Sequence, residues 1–344
     1  MEITFVLPTY NRKEYVVRAI DSCLNISKIS SKIKVKVIVI DGYSNDGAWE
    51  KLQKEFSNNE FVKLLQVDKE KGFQETAFLG IELVETEYVT FMYNDDILSD
   101  YYYQFAEKMI DKDQDFIMGY GSNLHADEKY DFIEPAFINI NPKKIILNYF
   151  GFFSNLEYSS LPVSPITSIS KTKVLKEWIN EVRSFVEKSN FRNDLFIGQN
   201  IGPDLVLFLF NLYRQGDSTF FCNSTISQLS FHKESMSILY GKTPLSSGYW
   251  LSRIWYFHKI LKEDQKINKS FMGRLSAYIL VSGLMVIFLN IISKKFDYAF
   301  EGLKEILNVI FISIRKNFFL ITIIFAPIVI MNRFLRDKSK LTPS

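Results

Sequence analysis

The sequence predicts an α/β protein: a mostly parallel sheet covered by helices on both faces, followed by an apolar helical C-terminal region. Three observations lead there. Short, apolar, β-branched runs alternate with stretches of helical spacing through the first hundred residues, the pattern of parallel strands joined by crossover helices. A polar cluster follows each of the four strand-like runs. Two long uncharged apolar stretches, 275–293 and 317–332, lie near the C-terminus.

The elements follow in order. "ITFVLP" (3–8) reads as a buried strand ended by Pro8. "KEYVVRAIDSCL" (13–24) has apolar residues at helical spacing: Tyr15, Val16, Ala19, Ile20 and Cys23. "KVKVIVIDG" (34–42) is a second strand, and "DGAWEKLQKEF" (46–56) a second helix with Asp46 as its N-cap. "VKLLQV" (62–67), "FQETAFLGIELV" (73–84) and "YVTFMYND" (88–95) read as strand, helix and strand. A further helix is expected within "DILSDYYYQFAEKM" (96–109).

Strands of a parallel sheet present ligands beyond their carboxyl ends. That rule brings "PTYNR", "DGYSNDG", "KEKG" and "NDD" to one edge. Each cluster by itself is also what an ordinary turn looks like; four on one edge favour a binding cleft. Asp95 and Asp96 directly follow an apolar strand, where a charge is costly unless it has a partner. Either they cap the next helix or they hold a cation.

Composition narrows the classes. With 47% apolar residues and 31 Phe, the 344-residue chain can bury a large core. A net charge of +2 gives no basic footprint for nucleic acid. The charge is uneven, +6 over 270–344 and −4 over 1–269. Two cysteines, Cys23 and Cys222, give neither a disulfide framework nor a zinc spacing and suit a reducing compartment. The start "MEITFVLPTYNR" lacks the basic and apolar regions of a secretion signal, so the N-terminal domain is expected in the cytoplasm.

In order and spacing, "LPTYNR", "VIVIDGYSNDG" and "FMYNDD" resemble the family 2 inverting glycosyltransferases, of the bacterial capsule and O-antigen type. The resemblance covers roughly residues 1–235 and implies the GT-A nucleotide-diphospho-sugar transferase fold, whose mostly parallel sheet is Rossmann-like. It implies donor contacts from Pro8, Thr9, Tyr10, Asn11, Asp41, Asn94, Asp95 and Asp96 to a nucleotide sugar, foremost a UDP-sugar. It also implies Mg²⁺ or Mn²⁺ on the diphosphate, held by Asp95 and Asp96. Such a hard cation suits carboxylate oxygens. The chain departs from the family pattern at three places. Tyr93 stands where a first metal-site aspartate is usual, Phe78 where an Asn or Arg faces the nucleotide, and Glu75 where a smaller residue is usual.

The resemblance extends into the second half. "GPDL" (202–205) matches the carboxylate that opens a helix in that family, which makes Asp204 the expected general base; it is equally placed to cap that helix. A helix N-terminus favours its ionised form. "SFHKESMSI" (230–238) resembles a His-x-x-Ser-x-Ser segment and puts His232 near the metal or diphosphate, although a lone histidine is more often structural. "SPITSIS" (164–170) matches the region below the acceptor, with Ser164 as an acceptor contact. His125 and His258 have no motif context.

The C-terminal stretches carry the basic flanks "ISKK", "IRKN" and "NRFLRDKSK". Apolar length with basic flanks predicts helices associated with the cytoplasmic face of the cell membrane, in the interface in preference to spanning it. A helical dimer interface is the soluble alternative, and an oligomer stays open. The expected organisation is a glycosyltransferase domain over 1–235, a helical linker over 236–269 and a detachable membrane-associated region over 270–344. The expected function is an inverting, nucleotide-sugar-dependent hexosyltransferase acting on a lipid-linked or polysaccharide acceptor in cell-surface glycan synthesis. Two alternatives remain: an inert membrane-associated glycan-binding scaffold, which Tyr93 and Phe78 keep open, and a processive polysaccharide synthase. The nearest approach to the Gln-x-x-Arg-Trp motif of the latter is the poor match "SRIWYF".

Overall fold

The computed structural model describes residues 1–68, 72–111, 114–125, 127–152, 161, 163–233, 235, 242–263 and 268–339. Most of the expected "KEKG" cluster and part of the 230–238 segment lie outside them. The described chain forms two compact units. Unit one takes Met1–Asn141, Pro162–Ser184 and Tyr213–Leu239; unit two takes Pro142–Leu161, Phe185–Leu212 and Tyr240–Ser344.

Unit one is built on one mixed sheet. Its strands are β1 (Glu2–Thr9), β2 (Lys34–Asp41), β3 (Val62–Gln66), β4 (Tyr88–Phe91), β5 (Ile97–Leu98), β6 (Phe116–His125), β7 (Phe137–Ile140), β8 (Ser168–Lys171) and β9 (Thr219–Phe231). They lie in the order β3-β2-β1-β4-β8-β6-β9-β5, with β7 also paired to β9. The β3-β2-β1-β4 half is parallel throughout, and β6 is parallel to β9. The β4–β8, β6–β8, β5–β9 and β7–β9 pairs are antiparallel.

Alternation along β1 and β2 divides their side chains between the two faces. Ile3, Phe5 and Leu7 with Val35, Val37 and Val39 form one buried layer. That layer is covered by α1 (Val16–Ile29), α2 (Ala48–Phe56) and α4 (Tyr102–Asp111) through Ala19, Ile20, Leu52, Tyr102 and Phe105. On the other face, α3 (Gly72–Glu82) comes so close that a Cβ on Gly80 would sit 2.3 Å from Val6 and 2.5 Å from Ile40. A glycine is required there by the approach of helix to sheet. Beside it Phe78, fully buried, meets Trp178 of α6 (Thr172–Val186) edge-on at 5.3 Å. This corrects the expectation that position 78 faces the nucleotide: Phe78 is core. Glu75, the neighbouring departure, pairs with Arg183 at 2.9 Å.

Two other expectations change. Pro8 does not end β1, which runs to Thr9. The ladder with β4 stops at Val6–Phe91, so the N–H that proline lacks falls beyond the end of β4 and costs no ladder bond. The helix expected near residue 96 begins at Tyr102. Before it, Ile97 and Leu98 pair with Gln228 and Ser227 of β9, and the Ser99 N–H reaches the Ile226 carbonyl at 3.0 Å. Tertiary pairing overrides helix spacing there.

Unit two is helical. It contains α5 (Pro142–Tyr149), α7 (Asn190–Asn193), most of α8 (Pro203–Arg214), α9 (Lys242–Glu263), α10 (Lys269–Ile292), α11 (Phe296–Arg315) and α12 (Phe319–Ser339). The stretch expected as a linker carries α9, whose Trp250, Leu251, Ile254 and Phe257 are buried. Trp250 donates its indole N–H to the Ile279 carbonyl of α10 at 2.9 Å. Asn332 of α12 donates to the Gly151 carbonyl at 3.0 Å. α10 packs against both α11 and α12. Small residues allow the approach: Gly273 lies against Ile321, Gly283 against Ile306, and the Ser276 and Ser313 hydroxyls are 3.2 Å apart. By length and composition α10 is, among the described residues, the one unbroken helix able to cross a bilayer, although many of its residues are buried within the unit.

Candidate active site

The parallel half of the sheet ends in a cluster of polar side chains, as its topology requires. Asp41, the last residue of β2, is fully buried. A buried carboxylate needs donors, and three surround it: the Ser44 N–H at 2.9 Å, the Ser44 hydroxyl at 2.5 Å and the Gln66 side-chain amide at 3.0 Å. Gln66 ends the neighbouring β3.

The loop after β1 is tied to the loop after β2. Asn11, in a left-handed conformation (φ 50°), donates its backbone N–H to the Ser44 hydroxyl at 2.8 Å and accepts the Asn45 N–H at 2.9 Å. Tyr43 shares the positive φ (67°) and is 58% exposed; Tyr10 is 39% exposed. Two aromatic rings therefore stand at the rim of this pocket of donors and acceptors. The Gly42 N–H caps the β1 end by bonding the Thr9 carbonyl at 2.9 Å. Pro8 is buried within the strand, and Thr9 receives the Asn94 amide on its hydroxyl at 3.2 Å, joining the ends of β1 and β4.

The two aspartates after β4 divide their roles. Asp96 is only 4% exposed and accepts the Ser230 N–H of β9 at 2.8 Å. Burial, reinforced by the charge of Asp95, pushes its carboxyl well above the ordinary range. Asp95 keeps more exposure, and one carboxylate oxygen lies 2.9 Å from Nε2 of His232. The histidine ring stacks on Tyr15 with centroids 5.2 Å apart, and the Arg18 guanidinium lies over the same tyrosine at 4.9 Å. Arg18 also donates to the Asp95 carbonyl at 2.9 Å. Thus α1, β4 and the end of β9 converge on one carboxylate–imidazole pair beside an arginine. Tyr93, in place of an aspartate, lies 6.2 Å from the Phe73 ring.

Among the described residues no group of three His, Cys, Asp or Glu side chains converges as a metal cage. Asp95 and His232 could supply one carboxylate oxygen and one imidazole nitrogen. A hard divalent ion bound this way would need its remaining ligands from substrate phosphates and water, its usual situation at nucleotide sites. The donor set fits such an ion as a partial site.

Ser164 precedes a short 3₁₀ turn (Pro165–Thr167), and its carbonyl accepts the Thr167 N–H and hydroxyl at 3.0 and 2.8 Å. The turn is fixed to the sheet by the Thr90 hydroxyl, which donates to the Ser168 carbonyl at 2.5 Å.

Asp204 belongs to unit two. Gly202 precedes it with φ 118°, and a Cβ there would meet the Phe196 ring at 2.5 Å and the Gly248 carbonyl at 2.9 Å. The glycine turn delivers Asp204 to the first turn of α8. One of its oxygens accepts the Leu205 N–H at 2.8 Å and the other the Tyr249 hydroxyl at 3.0 Å. The helix terminus was expected to keep this group ionised. Instead, burial outweighs these hydrogen bonds and lifts its pKa to about 7, because losing bulk water penalises the charged form more than the dipole and donors restore.

Sequence reasoning missed Tyr15, Arg18, Ser44 and Gln66. Gln66 had a signal, a polar side chain at the end of an apolar strand. Tyr15 and Arg18 had none, because their periodicity is that of any amphipathic helix.

Three comparisons bear on this geometry. Residues 4–152 match the family described as glycosyl transferase family 2. An uncharacterized glycosyltransferase of Haemophilus influenzae is 29% identical over 97 residues, which are 28% of this chain and 37% of that relative's length. Among solved structures, S. aureus TarS 1–349 in complex with UDP-GlcNAc superposes with a TM-score of 0.56 at 14% identity, covering 92% of each chain. The same fragment with UDP gives 0.52 at 15% identity, also covering 92% of each chain. The longer TarS chain gives 0.55 at 14% identity, covering 90% of this chain and 55% of that one. At these identities the structural likeness establishes the fold: a mixed α/β, GT-A-type sheet followed by C-terminal helices.

Proposed function

We propose that this chain, whose residues 4–152 match the family 2 glycosyltransferases, is an inverting hexosyltransferase that takes its sugar from a UDP-sugar. The observation that carries the reading is the convergence of Thr9, Asp41, Asn94 and Asp95 at the carboxyl edge of four parallel strands. The fold is shared with TarS structures that hold UDP-GlcNAc or UDP.

The residues divide the work. Asp41, buried and held by Ser44 and Gln66, is assigned to the nucleobase end of the donor, where Tyr10 and Tyr43 offer exposed rings against which a base can stack. Asn11 and Asn94 hold the loops that follow β1, whose last residues are Pro8 and Thr9, and β4. Asp95 and His232 would hold Mg²⁺ or Mn²⁺, and Asp96 keeps Asp95 in place through β9. When bound, such an ion neutralises the charge developing on the leaving diphosphate. Arg18 adds positive charge beside that pair.

In the transfer, an acceptor hydroxyl oxygen bonds to the anomeric carbon as the bond from that carbon to the diphosphate oxygen breaks. The hydroxyl proton goes to a base. Asp204, with a pKa of about 7, matches what a general base requires near neutral pH. Ser164 is assigned to the acceptor. The acceptor class we infer is a lipid-linked or polysaccharide glycan of the cell surface, of the capsule or O-antigen kind, met at the cytoplasmic face of a membrane. The basic, apolar C-terminal helices support that location.

The test is donor binding. Wild-type protein should be thermally stabilised by a UDP-sugar, more so with Mn²⁺; saturation at about 100 times Kd is worth about 2.7 kcal/mol. Asp95→Ala should lose the Mn²⁺-dependent part. Stabilisation equal in the variant and wild type would remove Asp95 from the metal site. Absence of both donor binding and donor hydrolysis in the wild type would favour an inert scaffold.

A further inference from the structure

We propose that the outward faces of α10, α11 and α12 form a single docking surface that lies in the plane of an anionic lipid bilayer without crossing it. This deepens the membrane location proposed above and rests on it for the partner, but it requires nothing of the donor site.

The helix α11 shows why. It is apolar on two separate faces. Ala299, Gly302, Ile306, Val309 and Ser313, spaced by three and four residues, are buried against the rest of unit two. A second stripe at the same spacing, Phe296, Phe300, Leu303, Leu307, Phe311 and Ile314, points outward, with exposures from 42% at Leu303 to 63% at Phe296 and Phe311. A helix packed on one side needs only one such stripe. α12 also carries exposed Leu320 and Ile324, 75% and 65%, and α10, which packs against both helices, carries exposed Leu284 and Phe288, 64% and 60%. Contiguous exposure on this scale, unlike scattered single residues, marks an interaction surface.

Charge identifies the partner. The turn from α10 to α11 carries exposed Lys294, and the turn from α11 to α12 carries exposed Arg315 and Lys316. Both turns are closed by left-handed residues, Lys294 (φ 57°) and Asn317 (φ 59°), so the basic groups sit at the two ends of the apolar stripe. Of the acids of α11, Glu305 is withdrawn and bonds Arg192, Glu301 is neutralised by Lys304 at 2.7 Å, and Asp297 stays exposed near the α10–α11 turn. Large apolar side chains between basic ends complement acyl chains and anionic headgroups. The charged residues of α11 argue against a span. Asp297, Glu301, Lys304 and Glu305 all fall in the first half of α11, and that many charges is expensive at the bilayer centre.

The test uses the full-length protein without donor, mixed with vesicles of phosphatidylcholine alone or with phosphatidylglycerol added. Wild type should partition preferentially to the anionic vesicles, and less so in high salt. Phe300→Asp/Leu307→Asp should weaken partitioning at least tenfold with an unchanged circular dichroism spectrum. Lys294→Glu/Lys316→Glu, confined to exposed turn residues, should abolish the anionic preference even if the first variant misfolds. Cysteines placed at Lys294 and Asn317 should both react with an impermeant maleimide added outside the vesicles. Four outcomes would overturn the proposal. Charge-reversed protein could keep its anionic preference, or Phe300→Asp/Leu307→Asp could fold and bind like wild type. Labelling could occur at one site only, which means that α11 crosses. Finally, wild type could ignore vesicles and form a dimer that Phe300→Asp/Leu307→Asp dissociates, which assigns the face to a second copy.

Discussion

At the scale of the residue, Asp204 shows stability set against reactivity. Its pKa of about 7 in the folded protein exceeds the ordinary carboxylate value. Between roughly pH 4 and 7 the folded state therefore holds a proton that the unfolded state has released, and stability falls as pH rises through that window. Asn at this position can keep the bond from the Leu205 N–H and cannot ionise. Relative to wild type, Asp204→Asn should gain stability by about 1–2 kcal/mol on going from pH 5 to pH 8, a figure reduced for partial solvent access. Urea midpoints at the two pH values would show it. The same substitution should lower transfer by about 10²–10⁴-fold, and wild-type kcat/KM should rise with pH through about 7. A variant that is stabilised yet fully active would leave Asp204 as a buried carboxylate with no role in proton transfer. His232 and Asp95 show the complementary case, where a pair 2.9 Å apart was legible from sequence only as two separate motifs.

At the scale of the element, the contact between α3 and the sheet is the most sensitive joint in unit one. Gly80 has Val6 and Ile40 within 2.5 Å of where a Cβ would stand. Overpacking of this kind typically costs about 1–3 kcal/mol, against a gain of up to about 1 kcal/mol in helix propensity from replacing glycine. Gly80→Ala should therefore lower the urea midpoint of unfolding, whereas Gly216→Ala, with open space around the position, should not lower it through a clash. Element boundaries were legible to within a residue where local pattern and tertiary pairing agreed, as in β2; α2 starts at Ala48 after Gly47, with Asp46, the expected cap, one position earlier and accepting the Ala48 N–H at 2.9 Å. Boundaries were not legible at Ile97–Leu98, where two residues in a helix-like run join β9 instead. That choice rests on a partner strand more than a hundred residues away, which no local window contains.

At the scale of the whole molecule, the two units interleave along the chain. The sequence division at 235 and 269 followed composition, while the compact units follow packing. One consequence concerns truncation. Removing 269–344 was expected to release a soluble domain. In unit two it would instead strip α10 from Trp250, break the indole bond to the Ile279 carbonyl and uncover the buried face of α9. Burying a large apolar side chain is worth about 1.5–3 kcal/mol, and several would be exposed together. A chain ending at Asn268 should aggregate or bind a hydrophobic dye strongly, as size-exclusion chromatography and dye fluorescence would report. A monodisperse truncated protein that binds no dye would restore the detachable tail.

The sequence by itself determined the α/β class, the strand ends at Thr9, Asp41 and Phe91 to within a few residues, and the polar residues that gather there. Those properties are local: hydrophobic period and turn chemistry specify a strand and its end, and parallel connection places successive ends on one edge. Only the tertiary structure decided that Asp96 is buried against β9 while Asp95 meets His232, that Phe78 belongs to the core, and that burial holds Asp204 near neutrality. Each of these depends on which distant side chains exclude water from a group. Desolvation is a property of the assembled surroundings, and it overrides the preference that the group's own segment would express.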